Sequence, residues 1–228
     1  MLSIASVIGN QFEIQLLAQV SGFAADEIVE RIEGSLRAGI VVDAGSGTHY
    51  RFSHALVREA LHQDLPAKRR NQLHADIGAA IQEVHKDDLD PHLAALAHHF
   101  RASGDAGKAI DYSIAAADAA EAVFAYEDAL SHLRPALAIA EGQDHDAARR
   151  AAVLFRLGRI TAYFENQEQG VAYLESALKV FDHVRDDQRA GESTCPPGPL
   201  IQCLRTSHER RPRADSSSKG RNSAGTEQ

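Results

Sequence analysis

The residues with the widest chemical reach in this chain are its histidines, twelve in 228 positions. Imidazole can ligate a metal, move a proton or donate to a phosphate near neutral pH. Spacing limits which of these is open. His98 and His99 are adjacent, so on a helix their side chains point about 100° apart and are poorly arranged to share an ion. His54 and His62 stand about two helical turns apart and could share a face. Neither pair comes with cysteine ligands, a nearby acidic cluster or a His-Glu-x-x-His run. No metal site is expected, and the histidines read as surface or capping residues. Ser53-His54 lacks the elbow and the orienting acid of a nucleophile pair. Gly45-Ser46-Gly47-Thr48 is a turn without the lysine and following helix of a phosphate cradle. No catalytic residue and no bound cofactor are expected.

The elements that would carry these residues change character near His54. Val41, Val42, Tyr50 and Phe52 flank the turn-rich Asp43-Ala44-Gly45-Ser46-Gly47, the pattern of a two-stranded hairpin. From Ser53 the apolar spacing turns helical, through Ala55, Leu56, Ala60 and Leu61, with Ser53 expected at the N-cap. Upstream, residues 2–8 predict a short helix ending at Gly9-Asn10. Phe12, Ile14, Leu16, Leu17 and Val20 predict a second, stopped at Ser21-Gly22. Ala25-Asp26 opens a third, with Ile28, Val29, Ile32 and Leu36 on one face and Gly39 as a left-handed terminator. Three helices and then a hairpin is the winged-helix order. The third helix carries Asp26, Glu27, Glu30, Arg31, Glu33 and Arg37, so acids outnumber bases and DNA reading by this head is disfavoured.

Downstream the chain reads as helix after helix. Pro66 is expected to open a helix running to about His85, with Leu73, Ile77, Ala80 and Ile81 inward. Residues 86–91 are a polar break. Leu93, Leu96, Ala97 and Phe100, a turn at Gly104-Asp105, then Ala109 and Ala116 resemble the tetratricopeptide pattern of helix pairs of ~34 residues. Ala129, Leu133 and Ala136 repeat the later half too soon for two full helices between. One helix, about 106–123, is therefore expected to serve two hairpins. Pro135 falls inside a helix at about 125–140 and should bend it or cost it a bond. Leu154, Leu157, Gly158, Gly170, Leu174 and Ala177 match the pattern better, with helices at about 145–164 and 167–184.

The run Arg51-Phe52-Ser53-His54-Ala55-Leu56-Val57-Arg58-Glu59-Ala60 resembles one that recurs in large bacterial signal-transduction ATPases. These include long LuxR-type regulators and the AAA-like modules fused to adenylate/guanylate cyclases. The resemblance covers roughly residues 1–184. It implies an all-α fold, with a winged-helix-like head bearing one small β-hairpin (1–65) and a tetratricopeptide-like arm (66–184). It implies a non-catalytic regulatory or scaffold role, coupling a nucleotide-binding core upstream of Met1 to a protein partner or effector held by the arm. Nucleotide would bind only with that core present. In related nucleotide switches a Met-His-Asp motif follows the wing, and its histidine contacts the phosphate of bound ADP. His54 resembles it in position, with Ser53 and Ala55 departing from the flanks. This implies a nucleotide-state sensor in an intact parent. Arg58 and Glu59 are expected to pin head to arm through salt bridges, or else to face solvent. The alternatives are a free-standing tetratricopeptide-type adaptor, a fragment of a DNA-binding regulator and a fragment of a nucleotide cyclase.

Composition narrows the setting. A hydrophobic fraction of 44% supports a real core, and abundant alanine with no tryptophan suits close helix packing. A net charge of -8 argues against nucleic acid as the main partner. Lys68-Arg69-Arg70 reads as a solvated helix face. No apolar run reaches the ~20 residues that span a bilayer. The N-terminus lacks the basic flank of a secretory signal, and Cys195 and Cys203 are the sole cysteines, so a cytoplasmic setting is expected. The opening on core-type residues predicts a fragment or truncated product. The tail, 185–228, with its proline, arginine and serine clusters, is expected to be disordered, and a frameshift is favoured over a native flexible tail.

Overall fold

A glycine-and-aspartate turn and three aromatic rings organise the first part of the chain. The computed structural model describes residues 1–45, 47–142 and 147–190. In chain order come α1 (Leu2–Ile8), β1 (Gln11–Glu13), α2 (Ile14–Ser21), α3 (Ala25–Arg37), β2 (Val41–Asp43) and β3 (His49–Phe52). Asp43 Oδ1 accepts from the amides of Gly45 and Gly47, at 2.8 and 3.2 Å, which closes the turn between β2 and β3. Both glycines have positive φ, as such a turn requires. The sheet is antiparallel in the order β1-β3-β2, with Phe12 opposite Tyr50 and Val41 opposite Phe52. Phe12, Tyr50 and Phe52 are buried, with ring centroids of Phe12 at 6.2 and 5.7 Å from the other two. Ile28 and Ile32 of α3 and Leu17 of α2 complete this core.

The third strand departs from the sequence reading, which put Phe12 at the start of a helix and expected a hairpin alone. Residues 11–13 pair with β3 before the helix begins at Ile14. A strand of three residues has too few positions to display a period of two, so its single buried ring was absorbed into the helical run behind it.

Two local expectations at the junction are also corrected. Ser53 does not cap the next helix. Its hydroxyl donates to the Ile40 carbonyl at 3.0 Å, and His54 holds the N-cap position without a side-chain cap bond. In α4 (Ala55–Gln63) Leu56 is 83% exposed, while Val57 and Leu61 pack on the head. Tertiary packing selected one of two adjacent apolar stripes.

Beyond α4 the helices follow one another: α5 (Ala67–Val84), a single 3-10 turn (Asp90–His92), α6 (Leu93–Ser103), α7 (Ala106–Ala122), α8 (Tyr126–Glu141), α9 (Ala147–Phe164) and α10 (Gln167–Ala190). From α6 to α9 each packs chiefly on its neighbours in sequence, α5 packs on α6 and also on α1 and α2, and α7 packs on both α6 and α8, as its shared role required. Gly104, in the left-handed region at φ 89°, ends α6, and Asp105 caps α7 by accepting from the Lys108 amide at 3.1 Å. Pro66 stands at the N-cap of α5, one position before its expected place. Pro135 lies inside α8.

Small residues set the closest approaches. A Cβ on Gly170 would fall 2.3 Å from the Ala162 amide nitrogen, and one on Gly158 would fall 2.7 Å from Leu174 Cγ. These are the glycines at the expected crossing, and they bring α9 and α10 into backbone contact. Helix α10 runs to Ala190, six residues past the expected end at Val184. The remaining tail, with both cysteines and the expected disorder, lies outside the described residues.

Head and arm share one core. Val7 of α1 and Leu16 of α2 are buried with Leu73, Ile77 and Ile81 of α5 and with Leu96 and Phe100 of α6. The expected boundary at 65/66 is therefore not a gap in packing, and Met1–Val184 form one compact unit.

Three Arg–carboxylate pairs join the alternate helices α7 and α9. Arg149 binds Asp111 in bidentate fashion at 2.6 and 2.8 Å, and Arg156 binds Asp118 at 2.7 and 2.9 Å. Arg159 binds Glu121. All three pairs span 38 positions, so α7 and α9 run parallel in fixed register.

Candidate functional site

Helices α4, α5 and α6 surround a cleft of about 550 Å³, lined on a further side by Val7, Ile8 and Gly9 at the end of α1. Its polar lining comes from Arg58, Glu59 and His62 on α4, Arg70 and His74 on α5, and His98 on α6. Helical spacing explains the gathering. His74 stands three positions before Ile77 and His99 three after Leu96, on the edges of the apolar stripes that face each other across α5 and α6.

His74 and His99 are both buried, at 5% and 2% exposure, and their Nδ1 atoms lie 2.9 Å apart. Because neither ring is charged when buried this way, one Nδ1 donates and the other accepts. Burial holds His74 down to about 4, with His98, His62 and Arg70 adding to the effect. Burial likewise holds His99 down to about 3, helped by His74 and His98. His98 is lowered by desolvation and then by Arg101, and His62 by desolvation and then by Arg70. These imidazoles are neutral at pH 7 and keep lone pairs available. Among the described residues, ligand-capable nitrogens of His74, His98 and His99 lie within 4.8 Å of one another.

The rings of His98 and His99 are 5.3 Å apart, and His74 sits 5.5 and 5.1 Å from them. Adjacent helical side chains diverge, but a third ring from the facing helix bridges the divergence. The expectation that the histidines are surface or capping residues therefore fails for His74 and His99. The cluster joins two helices, and spacing within either one carries no signal for it.

His54, the residue singled out from its motif, is exposed at the start of α4 and does not line the cleft. Its backbone oxygen accepts from the Val57 and Arg58 amides at 3.1 and 3.4 Å. Arg58 donates to the Ser6 carbonyl at 3.3 Å and pairs with Glu59 at 3.2 Å, and Glu59 accepts from Gln63 at 2.7 Å. These partners of Arg58 and Glu59 lie on α1 and α4, inside the head, rather than across to the arm. Among the described residues, polar links between head and arm run from Arg70 to the His62 carbonyl, at 3.4 Å, and from His85 to Glu13, at 3.5 Å.

A second feature lies at the other end of the arm. Val123, Phe124 and Tyr163 are each more than 70% exposed, and Phe164 is 45% exposed. Tyr126 ties the rings together, with centroids 6.3, 6.0 and 5.5 Å from Phe124, Tyr163 and Phe164. Phe124 has φ 62°, a left-handed conformation uncommon for a bulky residue. The sequence reading does not pick out these rings: Phe124 falls between two predicted helices, and Tyr126, Tyr163 and Phe164 fall in the end turns of predicted helices, off the apolar stripes. Neither a protein-family model nor a characterised protein nor a solved structure matches the chain.

Proposed function

We propose that the chain is the non-catalytic regulatory and scaffold region of a signal-transduction ATPase, taking a protein partner or effector on its helical arm. The aromatic patch at Phe124, Tyr126, Tyr163 and Phe164 carries this reading. Large exposed rings clustered on one surface are the usual anchors of protein interfaces. One of them is held against its backbone preference, a cost of about 1 kcal/mol. Such strain persists where a function keeps it.

The rest of the molecule supports the reading in outline. The order α1-β1-α2-α3-β2-β3, with the sheet ordered β1-β3-β2, fits a winged-helix head. Helix hairpins crossing at glycine and alanine fit a tetratricopeptide-like arm. The acidic residues of α3 are mostly exposed, with Glu33 paired to Arg37, which argues against DNA. The setting would be cytoplasmic, and nucleotide would bind only through a core joined to the head.

The test joins the chain to the coding sequence that precedes it in the genome. The longer protein should contain a phosphate loop and retain ADP. Effector-stimulated nucleotide exchange should fall at least tenfold in a Phe124→Ser, Tyr163→Ser double variant whose basal exchange is unchanged. In the same protein, His54→Ala should speed ADP loss if His54 senses phosphate. A preceding sequence without a phosphate loop contradicts the ATPase reading.

A further inference from the structure

We infer that His74, His98 and His99 form a binding site for a late first-row divalent cation, zinc above all, that staples α5 to α6 at the base of the arm. The three donors come from two packed helices, so a bound ion would bridge an interface that apolar contacts already hold in place. Tetrahedral zinc with nitrogen ligands at 2.0–2.1 Å needs donors about 3.4 Å apart. The separations here bracket that value, from 2.9 Å for the Nδ1 pair to the 4.8 Å limit for the set. Rotation of His98, which is exposed, closes the difference without repacking the core.

Donor chemistry selects the ion. Three imidazoles and no converging carboxylate suit zinc, copper or nickel, and do not suit magnesium or calcium, which take oxygen ligands. The remaining position faces the cleft, open to water or to His62, whose ring centroid lies 6.2 Å from that of His74. The charged neighbours are Arg58 and Glu59 on α4, Arg70 on α5 and Arg101 on α6. Their net positive charge opposes any divalent cation, so binding rests on ligation by the neutral nitrogens.

Binding requires a defined rearrangement. In the metal-free protein a proton is shared between the two Nδ1 atoms. For both lone pairs to face the ion, that proton moves to Nε2 of the donating ring through solvent. The net change is a tautomer shift with no proton released, so the binding heat should not depend on buffer ionisation enthalpy.

The experiment titrates zinc, and separately cobalt, into the metal-free full chain by calorimetry and absorption. One equivalent should bind, the cobalt complex should show the intense visible bands of a low-coordinate site, and zinc should raise the thermal midpoint. His98→Ala should keep native helicity, because the side chain is exposed, and weaken zinc by at least tenfold, the lower end of what even an outer partner of a ligand costs. It should also shrink the zinc-dependent rise in midpoint. His85→Ala, which removes a ring stacked on His92 at 3.7 Å outside the cluster, should leave binding unchanged. Absence of stoichiometric binding overturns the inference. So does zinc affinity that survives His98→Ala, or that falls equally with His85→Ala.

Discussion

The buried pair of histidines makes acid stability a residue-scale property of this protein. His74 and His99 are both neutral in the native state, held to about 4 and about 3 chiefly by burial. The unfolded chain protonates them near pH 6.5. Between pH 6.5 and those native values the unfolded state binds more protons, so stability falls as pH falls, by at most about 1.4 kcal/mol per pH unit for each ring. Denaturant titrations of metal-free protein should show full stability above pH 7 and a decline that begins below 6.5. In His74→Phe the decline should be shallower; an unchanged profile would contradict the burial argument. Phe124 gives a second residue-scale expectation. Phe124→Gly should relieve the left-handed backbone and raise stability by about 0.5–1 kcal/mol, while weakening any partner that uses the ring. Chemical denaturation midpoints check the first effect. Neither residue was legible beforehand. Histidine identity says nothing about burial, and Phe124 sits in a turn whose φ follows from how α7 and α8 meet.

At the scale of elements, the glycine crossing and the Arg–carboxylate ladder do different work. Gly170 against Ala162 is backbone on backbone, with no flexible side chain to yield. Gly170→Ala should therefore cost about 2 kcal/mol or more, although alanine has the better helix propensity. Gly158→Ala meets Leu174 at 2.7 Å and the Gly170 carbonyl oxygen at 2.9 Å, a smaller overlap shared with a side chain that can shift, and should cost less. Equilibrium unfolding of the two variants would reverse the account if Gly158→Ala proved the worse. The ladder is partly exposed, and each pair should be worth about 0.5–1 kcal/mol. A double-mutant cycle on Asp118 and Arg156 should return a coupling in that range that shrinks in high salt. Most helices were readable because long apolar stripes repeat at helical spacing, and Gly158 with Gly170 marked their crossing in advance. The strand at Gln11–Glu13 was not readable, because three residues display no period and their pairing partner lies far along the chain. The ladder was missed because its partners stand 38 positions apart, a spacing no local window contains.

Across the molecule, the head and the first arm helices share buried residues, so residues 1–184 should unfold together. Leu16→Ala, which removes a head side chain from that shared core, should cost about 2–5 kcal/mol and lower head and arm protection in hydrogen exchange alike. Loss confined to the head would separate the two. The head–arm junction was legible as a change of period near Ser53. That it is packed rather than hinged followed from Val7, Leu16 and Ile77 meeting in three dimensions. The proposed function is that this unit binds and transmits and does not itself turn over nucleotide. The direct measurement is ATP and GTP hydrolysis by the purified chain, alone and joined to the proposed nucleotide-binding core. The account predicts no turnover by the chain alone and partner-dependent turnover by the joined protein. Hydrolysis by the chain alone, or a joined protein indifferent to the arm's aromatic patch, would contradict it.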